Sequence, residues 1–437
     1  MTEQHLWHPF ADMALIPGNE VTLVDGEGCW VTDTEGRRYL DASAALWFCS
    51  VGHGRAELAD AAAAQMRRLA AYCTFDVFAN QPALELARRL AQAAPTGPGS
   101  TAFFTSGGSE SVDTAAKLAR RYWHARGEEQ RRILIAREGA YHGMAAFGTS
   151  LAGIVPNRAG WGPLVEEVVH VDAHDPAALA DTLERHRGAV AGFIGEPVIG
   201  AGGVHPPREG YWQQVQALCR EHDVLLIIDE VITGFGRLGA AFGCERYGIV
   251  PDLLCGAKGI SSGYAPLGFV LSGARVRDAL WRPEVGALRH GYTYSGHATA
   301  CAVALANLDL LERDGLYERV RSFEPVLAEM LGPLIEHPLV ADVRTVGLLA
   351  GVELDAAARS AAPDVVERVV RRARAGGVLV RNLVGHTLQI SPPFVITEDE
   401  LGLLAGVLRD ALDETAQELL PQAHGATRVD GDHRQTA

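Results

Sequence analysis

Lysine is almost missing from this chain: among 39 basic residues in a sequence of 437, only Lys117 and Lys258 are lysines. Positive charge as a whole is in deficit, since 54 acidic residues leave a net charge of −15. Binding to nucleic acid depends largely on Lys and Arg side chains that neutralise phosphates. We therefore expect neither nucleic acid nor an anionic membrane as a partner.

Long apolar runs and a targeting segment are lacking as well. No stretch approaches the roughly 18 consecutive apolar residues that a membrane span requires. The first residues, MTEQHLWHPFADM, do not have the basic and then apolar order of a signal peptide, so we expect a cytoplasmic protein. The seven cysteines stand singly without a Cys-x-x-Cys pair. This spacing argues against a zinc ribbon, a redox dithiol or a disulfide framework, and we expect no metal site.

What the sequence does contain is an alternation of short apolar runs and helical segments from about residue 56 to residue 290. The runs are apolar on both faces, which is typical of a mostly parallel sheet covered by helices. They lie at 133–136, 190–195, 224–228, 252–255 and 267–272. Residues 21–41 instead alternate apolar and polar positions around two turn signals, which predicts a small antiparallel meander.

These patterns predict how the chain is divided. After a long helical pattern that breaks near Asp314 and Gly315, the sequence predicts a second, α+β unit. It contains strand-like runs at 341–354 and 377–391 and amphipathic helices at 362–375 and 397–419. The last residues are polar and aperiodic, which is typical of a disordered tail. The predicted parts are a β-rich arm at 1–55, a large domain at 56–296, bridging helices at 297–330, a small domain at 331–420 and the tail at 421–437.

Two charged residues follow apolar runs that we expect in the same sheet. Asp229 ends the run LLIID, and Lys258 follows LLCGA. Ligands bind beyond the carboxyl ends of parallel strands, so we expect both side chains to face one cavity. An arginine cannot form a Schiff base, whereas a lysine of lowered pKa can. A lysine at this position of an arginine-rich chain therefore indicates covalent chemistry, although a cap at Asp229 and a surface position for Lys258 are the plainer interpretations.

The segment FFTSGGSESVDTAAKLARRYW, residues 103–123, combines an apolar run, a Ser/Gly turn and an amphipathic helix. Backbone N–H groups at such a helix start can hold a phosphate. The turn matches neither the dinucleotide nor the P-loop pattern. It predicts an anion site, and ordinary loop chemistry is the alternative.

Three more polar or aromatic positions belong to the same predicted edge of the sheet. Tyr141, in EGAYHG, could stack on a flat ring, and Glu196 directly follows the run 190–195. Thr293, in HGYTYSGH, offers a hydroxyl in a polar loop. A core tyrosine and plain turn residues are the alternatives.

Together these segments resemble the class III, or omega-type, pyridoxal-phosphate-dependent aminotransferases of the type I fold. The motifs YHG, GEPV-x-G-x-GG, LLIIDEVITGFGRLG, AKGISSGYAPLG, HGYTYSGH and SPPFVIT stand in order along the chain. The resemblance implies an α/β fold with a large, mostly parallel sheet domain and a smaller α+β domain formed by the N- and C-terminal segments. It also implies pyridoxal 5′-phosphate as cofactor and a homodimer with active sites at the subunit interface.

The resemblance further implies a role for each site residue. Lys258 would be the Schiff-base lysine and the general base, and Asp229 would pair with the pyridine nitrogen; both would be catalytic. The other implied cofactor contacts are Tyr141 and Val231 on the two ring faces, the N–H groups of Gly108 and Ser109 at the phosphate, Glu196 beside the cofactor, and Thr293 at the phosphate of the neighbouring subunit's cofactor.

Substrate contacts are implied by three shorter matches to the amine:pyruvate branch. Trp47, in ALWFCSVGHG, and Phe10, in LWHPF, would border the substrate, and Arg381 would bind the carboxylate of an oxo acid and swing aside for a carboxylate-free amine. Ile232 replaces a glutamine that many glutamate-using relatives carry. The implied reaction is ping-pong transfer of an amino group from an omega-amino acid or primary amine to an oxo acid, with pyruvate favoured.

Other activities fit the same residues. The chain could be another class III transaminase, acting on 8-amino-7-oxononanoate, taurine or 2-oxoglutarate, or an aminomutase, epimerase or decarboxylase that uses the same cofactor. A nucleotide-dependent oxidoreductase lacks its fingerprint here, and a non-catalytic binding protein would not need the full set of catalytic residue types.

Overall fold

The computed structural model of the chain describes residues 5–419, and the predicted tail at 421–437 lies outside them. In this part of the chain the strands are β1 (Leu23–Glu27), β2 (Trp30–Asp33), β3 (Arg38–Asp41), β4 (Thr101–Thr105), β5 (Ile133–Arg137), β6 (Val168–Val171), β7 (Val190–Gly195), β8 (Leu225–Asp229), β9 (Leu253–Gly256), β10 (Gly268–Ser272), β11 (Val340–Val346), β12 (Leu349–Leu354), β13 (Val378–Leu379), β14 (Arg381–Leu383) and β15 (Thr387–Ile390).

The helices follow the same chain order. They are α1 (Ala44–Trp47), α2 (Ala56–Leu69), α3 (Gln81–Ala93), α4 (Gly108–Ala125), α5 (Ala146–Leu151), α6 (Val155–Arg158), α7 (Pro176–Arg185), α8 (Tyr211–Glu221), α9 (Gly243–Tyr247), α10 (Ala274–Leu280), α11 (Ala298–Arg313), α12 (Leu316–Leu331), α13 (Ala356–Ala361), α14 (Val365–Ala375) and α15 (Glu398–Leu419). Short 3₁₀ turns occupy Met13–Leu15, Lys258–Ile260, Pro283–Val285 and Gly332–Glu336.

The central sheet has the strand order β4-β10-β9-β8-β7-β5-β6. Neighbouring strands run parallel except at β10, which is antiparallel to both β4 and β9. The predicted α/β fold with a mostly parallel sheet is therefore confirmed, and the predicted run at 267–272 supplies its antiparallel strand. The edge strand β6 was not predicted, since its four residues are only partly buried except for Val171.

Burial on both faces explains the continuous apolar runs of the central strands. Along β8, Leu225 and Ile227 pack with the helix α4 side of the core, whereas Leu226 and Ile228 pack with the other side. Successive side chains of a strand point to opposite faces. A strand covered on both faces must therefore be apolar at every position, and polar residues can begin only where the strand ends, at Asp229.

Two smaller sheets join segments that lie far apart in sequence. The meander β1-β2-β3 is antiparallel, as predicted, and continues into β13, which pairs with β3 in parallel. The other sheet has the order β11-β12-β15-β14 and is antiparallel. The N- and C-terminal segments thus share a sheet, as expected for the smaller α+β unit, while the exact domain boundaries stay a prediction.

The long helical pattern after residue 297 divides where its sequence indicates. Helix α11 ends at Arg313 and α12 begins at Leu316, because Gly315 takes a left-handed conformation with φ of +60°. Among the helices of residues 5–419, none is long and apolar enough to cross a membrane.

Candidate active site

One cleft lies where β5, β7, β8 and β9 end, beside the first residues of helix α4. Strands that run in the same direction present their carboxyl ends at one edge of the sheet, so residues distant in sequence meet there. The cleft is lined by Gly108, Ser109, Val112, Tyr141, His142, Gly143, Glu196, Asp229, Val231, Ile232 and Lys258. Every predicted cofactor contact except Thr293 is therefore part of it.

Lys258 presents its amine to this cleft from an unusual backbone conformation. Its φ is +47°, a left-handed value that is uncommon for a residue with a side chain. Burial lowers the pKa of Lys258 to about 8, with Asp229 and Glu196 opposing the shift and Arg381 adding to it. The lowered pKa leaves a larger share of the amine neutral near pH 7 than for an ordinary lysine, and the neutral amine is the nucleophile.

The carboxylate of Asp229 is buried and held on both oxygens. Its Oδ1 accepts a hydrogen bond from the N–H of Val231 at 3.0 Å, and its Oδ2 lies 2.9 Å from Nδ1 of His142. The ring of His142 is buried too, and within residues 5–419 its Nε2 has no hydrogen-bond partner. His142 was not assigned a role from the sequence, although its place beside Tyr141 in the YHG motif was the available signal.

Glu196 fixes the loop that carries Tyr141. Its two carboxylate oxygens accept hydrogen bonds from the N–H of Tyr141 at 3.1 Å and from the N–H of Gly200 at 2.9 Å. Complete burial raises the pKa of Glu196 above its ordinary value. Glu196 therefore lines the cleft as predicted, and its contacts hold the backbone around the aromatic wall.

The start of α4 approaches the cleft closely because its first residue is glycine. A Cβ atom on Gly108 would lie 2.9 Å from Cγ1 of Val231, too close for any side chain. A Cβ on Gly143 would likewise lie 2.5 Å from the hydroxyl of Ser109, whose oxygen accepts the N–H of Met144 at 3.2 Å. The backbone N–H groups at this helix start therefore border the cleft at close range, where they can bind an anion.

A second cavity opens beside Lys258 and contains the predicted substrate contacts. The ring of Trp47 lies close to two basic groups: its centroid is 5.5 Å from Nζ of Lys258 and 5.0 Å from Cζ of Arg381. The ring of Phe10 meets that of Tyr141 edge-on at 6.5 Å. The cavity is lined by Phe10, Leu46, Trp47, Tyr141, Ile154, Pro156, Asn157, Ala201, Lys258, Arg381, Asn382, Leu383 and Val384.

Two polar atoms in this cavity have no hydrogen-bond partner within residues 5–419. Nη1 of Arg381 and Nε1 of Trp47 are buried, and neither has a hydrogen-bond partner in the described part of the chain. Buried donors are normally satisfied, and an unsatisfied one costs about 1–3 kcal/mol. The arrangement therefore favours a ligand that offers acceptor oxygens, such as a carboxylate.

The backbone that carries Trp47 is strained and is held by Asp41. Ala44, Ala45 and Trp47 all have positive φ values, a conformation that costs on the order of 1–3 kcal/mol per residue. The carboxylate of Asp41 offsets this cost by accepting the N–H of Ala45 at 2.7 Å and the hydroxyl of Ser43 at 2.9 Å.

Thr293 lies away from the cleft of its own chain and is exposed. Its loop is anchored to α4 through His290, whose Nε2 lies 2.8 Å from the hydroxyl of Thr114 and whose Nδ1 lies 2.8 Å from Nζ of Lys117. The second lysine of the chain thus has a local, structural partner. The role of Thr293 at a neighbouring subunit stays a prediction.

Glu230, next to Asp229, has a structural function that sequence reasoning did not assign. It is fully buried, and its oxygens accept the N–H groups of Gly243 at 2.9 Å and Cys244 at 2.7 Å and the hydroxyl of Thr233. Burial raises its pKa. The two adjacent carboxylates therefore have different roles: Asp229 faces the cleft, and Glu230 closes the glycine-rich loop behind it.

Comparison with known proteins agrees with this geometry. The family profile described as Aminotransferase class-III matches residues 17–412. The putrescine–pyruvate aminotransferase of Pseudomonas aeruginosa is 36% identical over 443 residues, with 96% of each chain covered. The adenosylmethionine-8-amino-7-oxononanoate aminotransferase of Geobacter sulfurreducens is 38% identical over 436 residues, with 94% of this chain and 96% of that protein covered.

A solved structure gives the same result. The omega transaminase from Pseudomonas jessenii in complex with PMP superposes with a TM-score of 0.90 at 34% identity, covering 95% of this chain and 97% of that one. The chain belongs to the class III aminotransferases. Its cofactor is the pyridoxal 5′-phosphate of that family.

The residues of the cleft fit this cofactor. A buried amine and a buried carboxylate face the same space, Tyr141 and Val231 stand at its walls, and the glycine at the start of α4 lets backbone N–H groups come close. A flat ring with an aldehyde, a basic ring nitrogen and a phosphate needs each of these groups.

Proposed function

We propose that this aminotransferase moves an amino group from an omega-amino acid or primary amine to pyruvate. The observation that carries the proposal is the pair formed by Arg381 and Trp47 beside Lys258. It combines one buried, unpartnered guanidinium nitrogen with mostly apolar neighbours. The guanidinium suits the carboxylate of a small oxo acid, and the apolar walls suit the carbon skeleton of an amine.

The chain's own groups suit amino transfer. When bound, pyridoxal 5′-phosphate supplies the electron withdrawal and carries the amino group between the two half-reactions. Nζ of Lys258 holds and returns the proton at the reacting carbon, a task that its lowered pKa suits. The carboxylate of Asp229, oriented by His142, favours a protonated ring nitrogen. Tyr141 and Val231, which line the cleft, would cover the two faces of the ring and exclude water.

The size and charge of the site indicate which class of acceptor it takes. Arg381 can bind a carboxylate with two parallel hydrogen bonds. Ile232, in the cleft where many glutamate-using relatives carry a glutamine, adds an apolar wall instead of a hydrogen-bonding one. A short oxo acid with one carboxylate therefore fits better than a dicarboxylate.

Substitution of Arg381 tests this assignment. We expect Arg381→Ala to raise KM for pyruvate by roughly 10- to 100-fold, because a charge-assisted hydrogen bond contributes about 1.5–3 kcal/mol. The KM of a carboxylate-free amine should change little. Steady-state kinetics with each substrate varied in turn measures both effects.

Two further variants serve as controls. Arg381→Lys keeps the charge without the bidentate geometry and should fall between wild type and Arg381→Ala. Arg368→Ala removes an arginine that pairs with Asp364 and Glu418, and both KM values should stay as in wild type. An equal rise in KM for pyruvate and for the apolar amine in Arg381→Ala would contradict carboxylate recognition by Arg381.

A second donor, adenosylmethionine, should be tested in the same assay. The Geobacter relative acts, by its name, on 8-amino-7-oxononanoate, and the segment LWHPF places Phe10 against Tyr141 at the entrance. A panel should therefore include 8-amino-7-oxononanoate with adenosylmethionine as donor. Turnover of that pair above turnover of simple amines with pyruvate would favour this alternative.

We also propose that the active enzyme is a homodimer whose sites lie at the subunit interface. Apolar side chains are exposed at Tyr72, Phe75, Val77, Phe78, Leu288 and Tyr294. Phe75 lies next to Gly291 in the loop that carries Thr293. Several exposed apolar side chains near one loop mark a protein contact, and Thr293, which is exposed and does not line the cleft of its own chain, would then serve the partner's cofactor.

A mixing experiment tests the shared site. Thr293→Ala should weaken cofactor retention in homodimers, and Lys258→Ala should remove activity. If Thr293 serves the opposite subunit, a mixed dimer of the two variants has one site that carries both defects and one site that carries neither. Refolding the variants together should restore up to about a quarter of wild-type activity, which is the statistical share. A monomer by light scattering, or no recovery on mixing, would contradict the proposal.

A further inference from the structure

The turn that carries Lys258 has weak hydrogen bonds of its own. Lys258 and Ser262 both have φ of +47°, so two residues with side chains occupy the left-handed region within five positions. Two backbone hydrogen bonds next to Lys258 are longer than the usual N–H···O range of roughly 2.7–3.2 Å: Ser261 N to Lys258 O is 3.3 Å and Ser262 N to Gly259 O is 3.4 Å. Shorter bonds within the turn lie further along, from Tyr264 N to Ser261 O at 3.0 Å and from the Ser261 hydroxyl to Ala265 O at 2.5 Å. Contacts from outside the turn therefore matter most for the residues closest to Lys258.

Asn307, on helix α11, makes shorter contacts to the same turn. Its Nδ2 donates to the carbonyl oxygens of Gly259 and Ile260, each at 2.9 Å. Its Oδ1 accepts the hydroxyl of Ser262 at 2.7 Å. Asn307 and Ser262 are both buried. One side chain therefore uses both donors and its acceptor on the residues that follow Lys258.

Packing also restrains the turn on the side opposite Asn307. A Cβ atom on Gly259 would lie 3.1 Å from Cβ of Phe235 and 3.2 Å from the carbonyl oxygen of Gly234. The turn is thus pressed against the glycine-rich loop on one side and bonded to Asn307 on the other. A small change in the turn would move the base of the Lys258 side chain with it.

We infer that Asn307 is a positioning residue for Lys258, fixing the strained turn so that the amine points into the cleft. This inference rests on the proposed role of Lys258. Asn307 does not line the cleft, so it acts through the turn and touches neither substrate nor cofactor. Its amide is required because a donor pair and an acceptor are needed at once, which leucine cannot supply and aspartate can supply only in part.

The scarcity of lysine makes a direct test possible in the full chain. The purified protein, freed of cofactor, is treated with an amine-acylating reagent at a series of pH values, and labelling of Lys258 and Lys117 is measured by peptide mass spectrometry. Lys117 is exposed and serves as the internal reference. Wild-type Lys258 should label with a midpoint near its pKa of about 8.

Asn307→Leu should shift this midpoint upward by about one pH unit, because a loosened turn admits water to the amine. The same variant should bind pyridoxal phosphate covalently at Lys258, as trapped by borohydride, roughly tenfold more slowly than wild type. The matched control is Gln216→Leu. Gln216 is a buried amide on α8 that holds another turn, donating to Gly248 O at 3.0 Å and accepting Val250 N at 2.9 Å.

The outcomes separate positioning from general stability. If both variants melt at lower temperature but only Asn307→Leu changes the labelling midpoint and the trapping rate, the inference is supported. If Asn307→Leu matches Gln216→Leu in both readouts, it is overturned. If Asn307→Leu does not fold, Ser262→Ala decides: it removes one of the three hydrogen bonds, and a folded variant with an unchanged Lys258 midpoint contradicts the inference. Failure to trap pyridoxal phosphate on wild-type Lys258 would instead overturn the proposed function, while the labelling midpoints would still test Asn307.

Discussion

Lys258→Ala is expected to lower kcat by at least ~10³-fold while leaving the protein folded. Removal of the amine takes away both the covalent attachment of the cofactor and the group that moves the proton, and a positioned acid or base alone contributes about 10²–10⁴-fold. The substitution also removes the desolvation cost of a buried amine, so the melting temperature of the cofactor-free protein should not fall. Stopped-flow kinetics, mass spectrometry after borohydride reduction and thermal unfolding measure the three effects.

Lys117→Ala is the matched control, since it removes the other lysine of the chain. Its amine lies on the surface side of α4 and contacts His290. The kcat per cofactor-loaded site should stay within about threefold of wild type, because Lys117 lines neither the cleft nor the cavity beside Lys258. Borohydride-trapped cofactor on Lys117, or turnover by Lys258→Ala near the wild-type rate, would contradict the role given to Lys258.

Asp229→Asn should lower kcat by roughly 10²–10³-fold with little loss of stability. The amide oxygen can still accept the N–H of Val231, and the amide NH2 can donate to Nδ1 of His142 when that nitrogen carries no proton, so both contacts and the local structure can persist. It removes the negative charge that favours a protonated ring nitrogen, and preorganised electrostatic groups contribute about this much. The measurement is single-turnover kinetics of the donor half-reaction, with the melting temperature as a companion.

Glu230→Gln is expected to lower stability and to leave kcat nearly unchanged, which is the opposite of Asp229→Asn. One backbone N–H, of Gly243 or Cys244, would lose its acceptor, because glutamine has one oxygen where glutamate has two. The free energy of unfolding should fall by about 1–3 kcal/mol, while kcat per cofactor-loaded site stays within a few-fold of wild type. A large loss of kcat in Glu230→Gln without loss of stability would show that the neighbouring carboxylates had been assigned the wrong way round.

The sequence predicted the features that depend on local patterns of apolar residues and turn residues. Continuous apolar runs indicated doubly covered strands, and the rule that ligands bind at the strand ends brought Asp229 and Lys258 together, as the cleft confirms. The meander at the N-terminus and the break near Gly315 were also readable from turn residues. The two longer runs at 341–354 and 377–391 were each predicted as a single stretch, but Gly347 and the turn after Leu383 divide them into separate strands.

Contacts between residues that lie far apart in sequence could not be predicted from the sequence. The YHG motif marks the position of His142, but no neighbouring residue indicates that it bonds a carboxylate 87 positions later. Asn307 lies in an alanine-rich helix 49 residues after the lysine whose turn it contacts. Such pairs depend on how helices and strands pack, which residue type alone does not encode. For the same reason the antiparallel direction of β10 and the existence of β6 emerged only from the fold.

Product counting in separated half-reactions decides whether the enzyme transfers an amino group by a ping-pong mechanism. The cofactor-loaded enzyme is mixed with an excess of a primary amine and no oxo acid, the carbonyl product is counted, and pyruvate is then added after the amine is removed. We expect one carbonyl per active site in the first step and one alanine per site in the second. Continued turnover of the amine without an acceptor, or no alanine after pyruvate, would contradict it and favour a mutase, epimerase or decarboxylase, or another acceptor.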